Sequence, residues 1–300
     1  MLGISTCWWH QKEGSGDEII RDILALGLQG IELEYRISQA LYQQMKPHLN
    51  REVKVLSMHN FFPKPEDREG GGDLFLLSAT EEEERKRAVR YTIRTMDHAE
   101  ELGAGVVILH LGRVEMPESC PSVQDSNNGD HINISHLRTI HGEQRRARER
   151  AHKKHLDAVL LSLEKLNREA EKRGLFLGIE NRYYFHEIPD LRETGIILRS
   201  FQGGQVRYWH DIGHAHVQEK MGLAAQKEFL QAYGDMLIGV HIHDAKGLDD
   251  HLAPGQGEVN YEELWPLLKS SPIRVLEVHS KVDRRDLMGG IQLIRGLEIN

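Results

Sequence analysis

The chain has 300 residues, a net charge of −8 at pH 7 and a hydrophobic content of 39%. This length suits one large α/β barrel or two ordinary domains. No apolar run is long enough to span a membrane, and residues 1–9 are too short and uncharged for a signal peptide, so we expect a cytoplasmic protein. The two cysteines exclude a disulfide framework and a cysteine-based zinc motif.

Eight short apolar segments predict eight β-strands, each followed by a helix or a helix-length segment. The predicted strands cover residues 2–6, 30–34, 53–58, 105–109, 175–179, 206–210, 237–240 and 273–276. Capping-box patterns at 15–18 and 80–83 open two of the helices. No dinucleotide-binding glycine fingerprint, phosphate-binding loop or domain linker interrupts the alternation. The pattern predicts an α/β fold, a single (β/α)8 TIM barrel domain over residues 1–300.

One segment after the fourth strand breaks this rhythm. Residues 113–150 are polar, contain Pro117 and Pro121, and become basic toward Arg150. We expect a long loop that leads into a helix. Such a loop on a compact domain is either a lid over the substrate or a solvated insertion, and both interpretations stay open.

The ends of the predicted strands carry chemistry that a barrel core does not need. Six of the eight strands end in a potential metal ligand or acid/base group, namely His59, His110, Glu180, Asp211, His241 and Glu277. The carboxyl ends of barrel strands converge on one mouth, where the active site lies. Three carboxylates in one cavity would repel one another unless a cation or protons balanced them. The set therefore indicates a divalent metal site with oxygen and nitrogen ligands.

The chain resembles the xylose isomerase-like barrels, a superfamily of sugar isomerases and epimerases that also holds AP endonuclease IV. The resemblance covers essentially the whole chain and rests on GIEN (178–181), HDIGHA (210–215), GVHIHD (239–244), DDHLAPGQGEV (249–259) and LEVH (276–279). The motifs are specific for the superfamily, and they distinguish its individual activities less well.

The resemblance implies a metal-dependent isomerase or epimerase of a sugar, polyol or keto sugar. One divalent metal would be held by Glu180, Asp211, His241 and Glu277. The two glutamates would also be the catalytic acid/base pair, moving a proton through a metal-stabilised enediolate. His214 matches a substrate-binding histidine of this family. The ligand types do not distinguish Mn²⁺, Zn²⁺, Co²⁺ and Mg²⁺.

The first alternative is a multinuclear zinc phosphodiesterase that acts on abasic DNA, like endonuclease IV. The additional metal or substrate ligands would then be His59, His110, His214, Asp249 and His251. Against this interpretation, Asp250 stands where an arginine would help to bind phosphate, and the acidic net charge does not favour nucleic acid as a partner, although a local basic groove stays open. A metal-dependent lyase or dehydratase, or a metal-binding protein without the expected reaction, is the further alternative.

Other side chains near the predicted mouth are candidates for substrate contact, in addition to His214. They are Trp8, Phe61, Arg182 and Lys246. Strand alternation turns His210, His216, His243 and His279 away from the interior, so we leave them out of the predicted site. We expect a small, carbohydrate-like and phosphate-free substrate, no membrane partner, and leave a homodimer open.

Overall fold

Eight parallel strands close into a barrel in this computed structural model, which describes residues 1–9, 14–66, 71–116 and 134–299. The barrel strands are β1 (Leu2–Ser5), β2 (Gly30–Leu33), β3 (Lys54–His59), β4 (Val106–Leu109), β5 (Phe176–Glu180), β6 (Val206–Asp211), β7 (Leu237–Ile242) and β10 (Ile273–Leu276). Around the barrel they follow the order β1-β10-β7-β6-β5-β4-β3-β2. The predicted TIM barrel is confirmed, and every predicted strand corresponds to a barrel strand.

The helices surround this barrel, and a small hairpin follows β7. In the described ranges the α-helices are α1 (Gly16–Ala25), α2 (Gln39–Met45), α3 (Glu82–Glu101), α4 (Ile134–Arg173), α5 (Leu191–Ser200), α6 (Ile212–Lys220), α7 (Gln226–Tyr233), α8 (Tyr261–Leu268) and α9 (Arg284–Ile299). The hairpin consists of β8 (Asp244–Lys246) and β9 (Asp249–Leu252), which pair antiparallel. Sequence analysis did not predict this hairpin, whose strands are too short for a pattern of alternation. None of the described helices is long and apolar enough to cross a membrane.

Local capping interactions explain where several helices begin. The Ser15 hydroxyl accepts a hydrogen bond from the Glu18 amide, and the Glu18 carboxylate accepts one from the Ser15 amide, so the predicted capping box is confirmed. The second predicted box, at 80–83, was wrong. The cap there is Glu81, whose carboxylate accepts hydrogen bonds from the amides of Glu83 and Glu84. A carboxylate at a helix N-terminus satisfies free amides as well as a hydroxyl does.

The segment expected to be a long loop is partly helical. Helix α4 begins at Ile134, so the basic residues up to Arg150 belong to the helix and not to the loop. Residues 117–133 lie outside the described residues, and the role of this segment as a lid stays a prediction.

The barrel interior is filled around one large side chain, the indole of Trp209. Trp209 is fully buried and packs with Val106, Ile108 and Val275, a cluster separate from the larger core between barrel and helices. A Cβ atom added at Gly239 on the neighbouring strand would lie 1.9 Å from the Trp209 ring. Gly239 therefore has no side chain because the indole occupies that space. The Trp209 ring also contacts the His241 imidazole, with centroids 5.0 Å apart, so it supports the mouth of the barrel from below.

We predict that Gly239→Ala lowers the free energy of unfolding by about 3 kcal/mol, because overpacking a closed interior forces side chains out of their rotamers. The matched control is Gly234→Ala, where an added Cβ has no neighbour within 4 Å and φ is −57°, a helical value. Urea unfolding followed by fluorescence measures both variants. Equal midpoints for the two would contradict the position of Trp209 in the barrel interior.

Candidate metal centre

Four side chains meet at the carboxyl ends of adjacent barrel strands. Glu180 ends β5, Asp211 ends β6, His241 lies on β7, and Glu277 follows β10. The Nδ1 atom of His241 lies 2.6 Å from Glu180 Oε1, 3.1 Å from Glu277 Oε2 and 3.6 Å from Asp211 Oδ2. All four residues are buried, and their potential ligand atoms lie within 4.8 Å of one another. We call these four residues the central group. The structure brings together the four residues that the sequence pointed to.

The central group contains three carboxylates and only one imidazole, so its negative charge exceeds its positive charge. Burial, and then the neighbouring Glu180, Glu32 and Asp211, raise the pKa of Glu277 to about 8, although His241 opposes the shift. Burial alone would lower the pKa of His241, but the surrounding carboxylates raise it well above its ordinary value. Protons thus balance part of the negative charge. A divalent cation would do so better, and three carboxylates with one imidazole form a donor set that divalent metals accept.

Glu32 completes the surroundings of His241, and sequence analysis missed it. Its carboxylate is fully buried, accepts a hydrogen bond of 2.7 Å from the Ser57 hydroxyl, and lies 3.1 Å from Nε2 of His241. A carboxylate on the far nitrogen of an imidazole holds the ring and its tautomer so that the near nitrogen can bind a metal. The sequence signal for this residue was a charged side chain inside the otherwise apolar strand β2.

A second group of potential ligands shares Glu180 with the central group. His59 ends β3 and His110 follows β4. The Nε2 atoms of His110 and His59 lie 3.0 Å and 3.9 Å from Glu180 Oε2. Burial lowers the pKa of His59, whereas Asp73 and Glu180 outweigh burial and raise the pKa of His110. We call His59, His110 and Glu180 the β3–β4 group, and its geometry also suits a metal ion.

A third group consists of the histidines His214, His243 and His251. His243 was set aside in the sequence analysis, and this was wrong. His243 is two residues after His241, and strand alternation, which repeats every two residues, places both on the same side. Its Nε2 atom lies 2.9 Å from Asp211 Oδ1, and its ring stacks on that of His251 with centroids 4.1 Å apart. We call this set the hairpin group.

The structure does not bring Asp249 to the hairpin group, contrary to the expectation for an additional metal ligand. The Asp249 carboxylate is 61% exposed and forms an ion pair of 3.0 Å with Lys281. The neighbouring Asp250 points inward instead, with Oδ2 3.7 Å from His214 Nε2 and 3.6 Å from His251 Nε2. His251 has a left-handed backbone, with φ of 54°, in the hairpin. Successive residues of a strand point to opposite sides, so only one of the two aspartates can face the site.

A cavity of about 230 Å³ opens above these groups. Its lining includes His59, His110, His214, His251 and Glu277. His279, which was also set aside, lines the cavity and packs on the His251 ring, with centroids 4.4 Å apart. We call this space the inner cavity.

One wall of the inner cavity carries a cation that sequence analysis did not single out. Arg36 and Tyr35 line the cavity, and the Arg36 guanidinium lies 4.4 Å from the centroid of the Tyr35 ring. Its Nη1 atom donates to Glu34 Oε2 at 2.9 Å. Burial raises the pKa of Glu34 to about 7, and Arg36 limits the shift. The Arg36 guanidinium, which can hold a substrate oxygen, therefore lines the same cavity as Arg182.

The predicted substrate contacts divide into two sets. His214 and Arg182 line the inner cavity, and the Arg182 guanidinium donates to Glu180 at 3.0 Å and to Glu187 at 2.6 Å. Trp8, Phe61 and Lys246 are not among its lining residues. The Trp8 indole donates to the Val282 carbonyl, Phe61 packs against Phe75, and Lys246 is exposed on the hairpin. The direction of a side chain just beyond a strand depends on the loop backbone, which the sequence pattern does not reveal.

Comparison with known proteins identifies the family of the chain and agrees with the barrel fold of the structure. A family model described as a xylose isomerase-like TIM barrel matches residues 20–292. The uncharacterized protein MJ1311 of Methanocaldococcus jannaschii is 31% identical over 117 residues, which span 38% of this chain and 39% of that protein.

Two solved structures are similar over nearly the full length. A D-tagatose 3-epimerase-like protein has a TM-score of 0.69 at 20% identity, covering 99% of this chain and 96% of that one. The TTHB071 protein from Thermus thermophilus, soaked with ZnCl₂, has a TM-score of 0.61 at 19% identity, covering 99% and 97%. These likenesses establish the fold.

The charge balance of the site predicts how pH acts on the metal-free protein. Glu277 and His243 have pKa values of about 8 and 9, and that of His241 is raised as well. The folded state therefore keeps protons between about pH 7.5 and 8.5 that the unfolded chain releases. The free energy of unfolding should fall over this range, by about 1.4 kcal/mol per pH unit for each retained proton. Buried histidines with lowered pKa values, such as His59 and His251, oppose this trend near pH 6.5, because the unfolded chain is still partly protonated at them. Above about pH 7.5 both states have lost these protons.

Urea unfolding at about pH 7.5, 8 and 8.5 tests this prediction, with the protein either in chelator or in excess Mn²⁺. A bound cation displaces these protons, so the metal-loaded protein should be more stable and its stability should change less over the same range. Identical pH slopes with and without metal would contradict a metal at the central group.

Proposed function

The chain belongs to the xylose isomerase-like TIM barrel family, and on this premise we propose that it is a divalent-metal-dependent isomerase or epimerase of a carbohydrate-like substrate. The observation that carries the proposal is the central group. In it, Glu180 and Glu277 come from strands β5 and β10, with the Asp211 and His241 strands between them. Two carboxyl groups therefore flank one metal-binding position at the floor of a small polar cavity.

The expected reaction moves a proton at a carbon beside a carbonyl. A bound divalent cation would supply a Lewis acid for the negative charge that develops on the substrate oxygens. One carboxylate takes the proton from the carbon, and the other carboxyl group returns a proton. Return to the opposite face of the same carbon is epimerisation, and return to the neighbouring carbon is isomerisation. Two glutamates on either side of the substrate can serve either outcome.

The surroundings of the two glutamates differ in a way that suits this division of roles. The Arg182 guanidinium and the His110 imidazole both lie 3.0 Å from Glu180 Oε2 and favour its ionised form. Glu277 lies at the cavity surface with no arginine bonded to it in the described part of the chain. We assign proton removal to Glu180 and proton return to Glu277. His214 and Arg182, which line the cavity, would hold substrate oxygens.

A second candidate function is a multinuclear phosphodiesterase of the endonuclease IV type. The observation in its favour is that two further groups of potential ligands flank the central group, one sharing Glu180 and one contacting Asp211. The outward position of Asp249 and the acid at Asp250 count against it. Incubation with abasic-site DNA and with a set of ketoses, at equal enzyme concentration, separates the two. Turnover of the DNA alone would overturn the isomerase proposal. A metal-dependent lyase or dehydratase would begin with the same proton removal and end in loss of a leaving group.

We predict that Glu180→Gln and Glu277→Gln each lower kcat by about 10²-fold or more with the fold intact, because the amide cannot accept or return the proton. The measurement is deuterium incorporation from D₂O into ketopentoses, ketohexoses and inosones, followed by NMR. Glu164→Gln is the matched control, an exposed glutamate on the outer face of α4. Activity near that of the control in either site variant would remove that residue from the mechanism.

A further inference from the structure

A second and larger cavity lies beside the inner cavity. It measures about 500 Å³ and forms between the first half of α4, the segment that follows β5 and the start of α5. Tyr184 and Glu187 line both spaces, so the two cavities share a wall. We call the larger one the outer cavity.

The lining of the outer cavity combines apolar and cationic groups. Tyr184, Phe185 and Leu223 contribute apolar surface, and Arg145, Arg146 and Arg192 contribute exposed guanidinium groups. Aromatic rings with adjacent arginines suit a flat or apolar ligand that carries an anion.

The carboxylates of the outer cavity are largely committed to other partners. Glu187 accepts hydrogen bonds from Arg182 and from the amides of Tyr183 and Tyr184. Asp190 caps helix α5 and forms an ion pair of 3.1 Å with Arg148. Glu149 is 68% exposed and lies 3.8 Å from Arg192, a distance that leaves its charge mostly to solvent.

Two of the arginines keep their charge available to a ligand. Arg145 donates to the carbonyl of Gly222 at 2.9 Å, a neutral partner. Arg146 has no carboxylate partner within the ranges that the structure describes. The outer cavity therefore has an excess of positive charge on a chain whose net charge is −8. This local charge singles out the cavity as a site for an anion.

We propose that the substrate is elongated and occupies both cavities. Its uncharged, carbohydrate-like end reacts above the central group, and a distal aromatic or apolar part with a phosphate or carboxylate group lies in the outer cavity, against Arg145, Arg146 and Arg192. The identity of the reacting end rests on the proposed function. The anion site rests on the outer cavity alone, and it replaces the phosphate-free substrate that was expected from the sequence.

The test uses the dye 1-anilinonaphthalene-8-sulfonate, which combines an aromatic surface with an anion that binds metals weakly. The triple variant Arg145→Gln/Arg146→Gln/Arg192→Gln should weaken its binding to the metal-loaded protein by about tenfold or more. The control Lys153→Gln/Arg168→Gln/Lys172→Gln removes the same charge from exposed positions of α4 outside both cavities, and should leave the dissociation constant unchanged. Equal dye binding by all three proteins would overturn the proposal.

Competition then identifies the kind of occupant. 4-Nitrophenyl phosphate should displace the dye from the wild-type protein, and the uncharged 4-nitrophenyl glucoside should do so about tenfold less well. Displacement by duplex DNA but not by the aryl phosphate would overturn the proposal of a small-molecule substrate.

A kinetic measurement links the two cavities and separates this inference from the proposed function. For a ketose with a distal aryl phosphate, kcat/KM should exceed that for the free ketose, and the arginine variant should lose this advantage while it keeps the turnover of the free ketose. Equal loss on both substrates would contradict the elongated substrate. If the wild-type protein turned over neither ketose, the proposed function would fail, and the dye measurement would still decide on the anion site.

Discussion

The structure depends on one electrostatic constraint, the burial of four carboxylates around a single imidazole. Glu32, Glu180, Asp211 and Glu277 all surround His241 at the carboxyl end of the barrel, and none of the five side chains is more than 7% exposed. Buried like charges repel strongly unless protons or a cation balance them. The metal-free chain meets this constraint with protons on Glu277 and His241, and a divalent metal would replace those protons. Acid/base catalysis can use two of these carboxyl groups, because the pKa of Glu277 is raised to about 8, whereas that of Glu180 is lowered so that it stays ionised.

The barrel supplies the rigidity that this arrangement requires. The strands that carry the central group are neighbours in the order β5, β6, β7 and β10, so their ends meet without long loops. Trp209 fills the interior below His241, and the hairpin of β8 and β9 brings His251 and Asp250 over one side of the mouth. Functional groups on strand ends are held more closely than groups on loops. The aromatic and arginine residues of the outer cavity, by contrast, come from helices α4 and α5 and from the loop after β5, outside the barrel strands, where sequence varies most readily with substrate.

Much of the fold and the site could be predicted from the sequence, for reasons that particular residues make clear. Apolar runs bounded by polar residues marked the strands, and a ligand such as Glu180 directly after a run had to lie at the barrel mouth. Glu32 could have been found by the same logic, because a charge between Ile31 and Leu33 needs a buried partner.

Other features could not be predicted from the sequence. Which of Asp249 and Asp250 faces the site depends on the turn of the hairpin and on the left-handed backbone of His251. Trp8 and Phe61 were expected at the mouth, but the packing of distant segments directs them elsewhere. The outer cavity had no sequence signal either, since it forms between α4 and residues far along the chain.

Metal content tests the central group most directly. It is measured by plasma mass spectrometry on the wild type and on Asp211→Asn, each purified without chelator or metal-binding tag. We expect about one tightly held divalent ion per chain in the wild type and a large loss of it in the variant, because the central group then lacks a carboxylate. The exposed variant Asp157→Asn serves as the control. No metal in the wild type after reconstitution with Mn²⁺, Zn²⁺, Co²⁺ or Mg²⁺ would contradict a metal site at the central group. Two or three zinc ions per chain would contradict the mononuclear site and favour the phosphodiesterase.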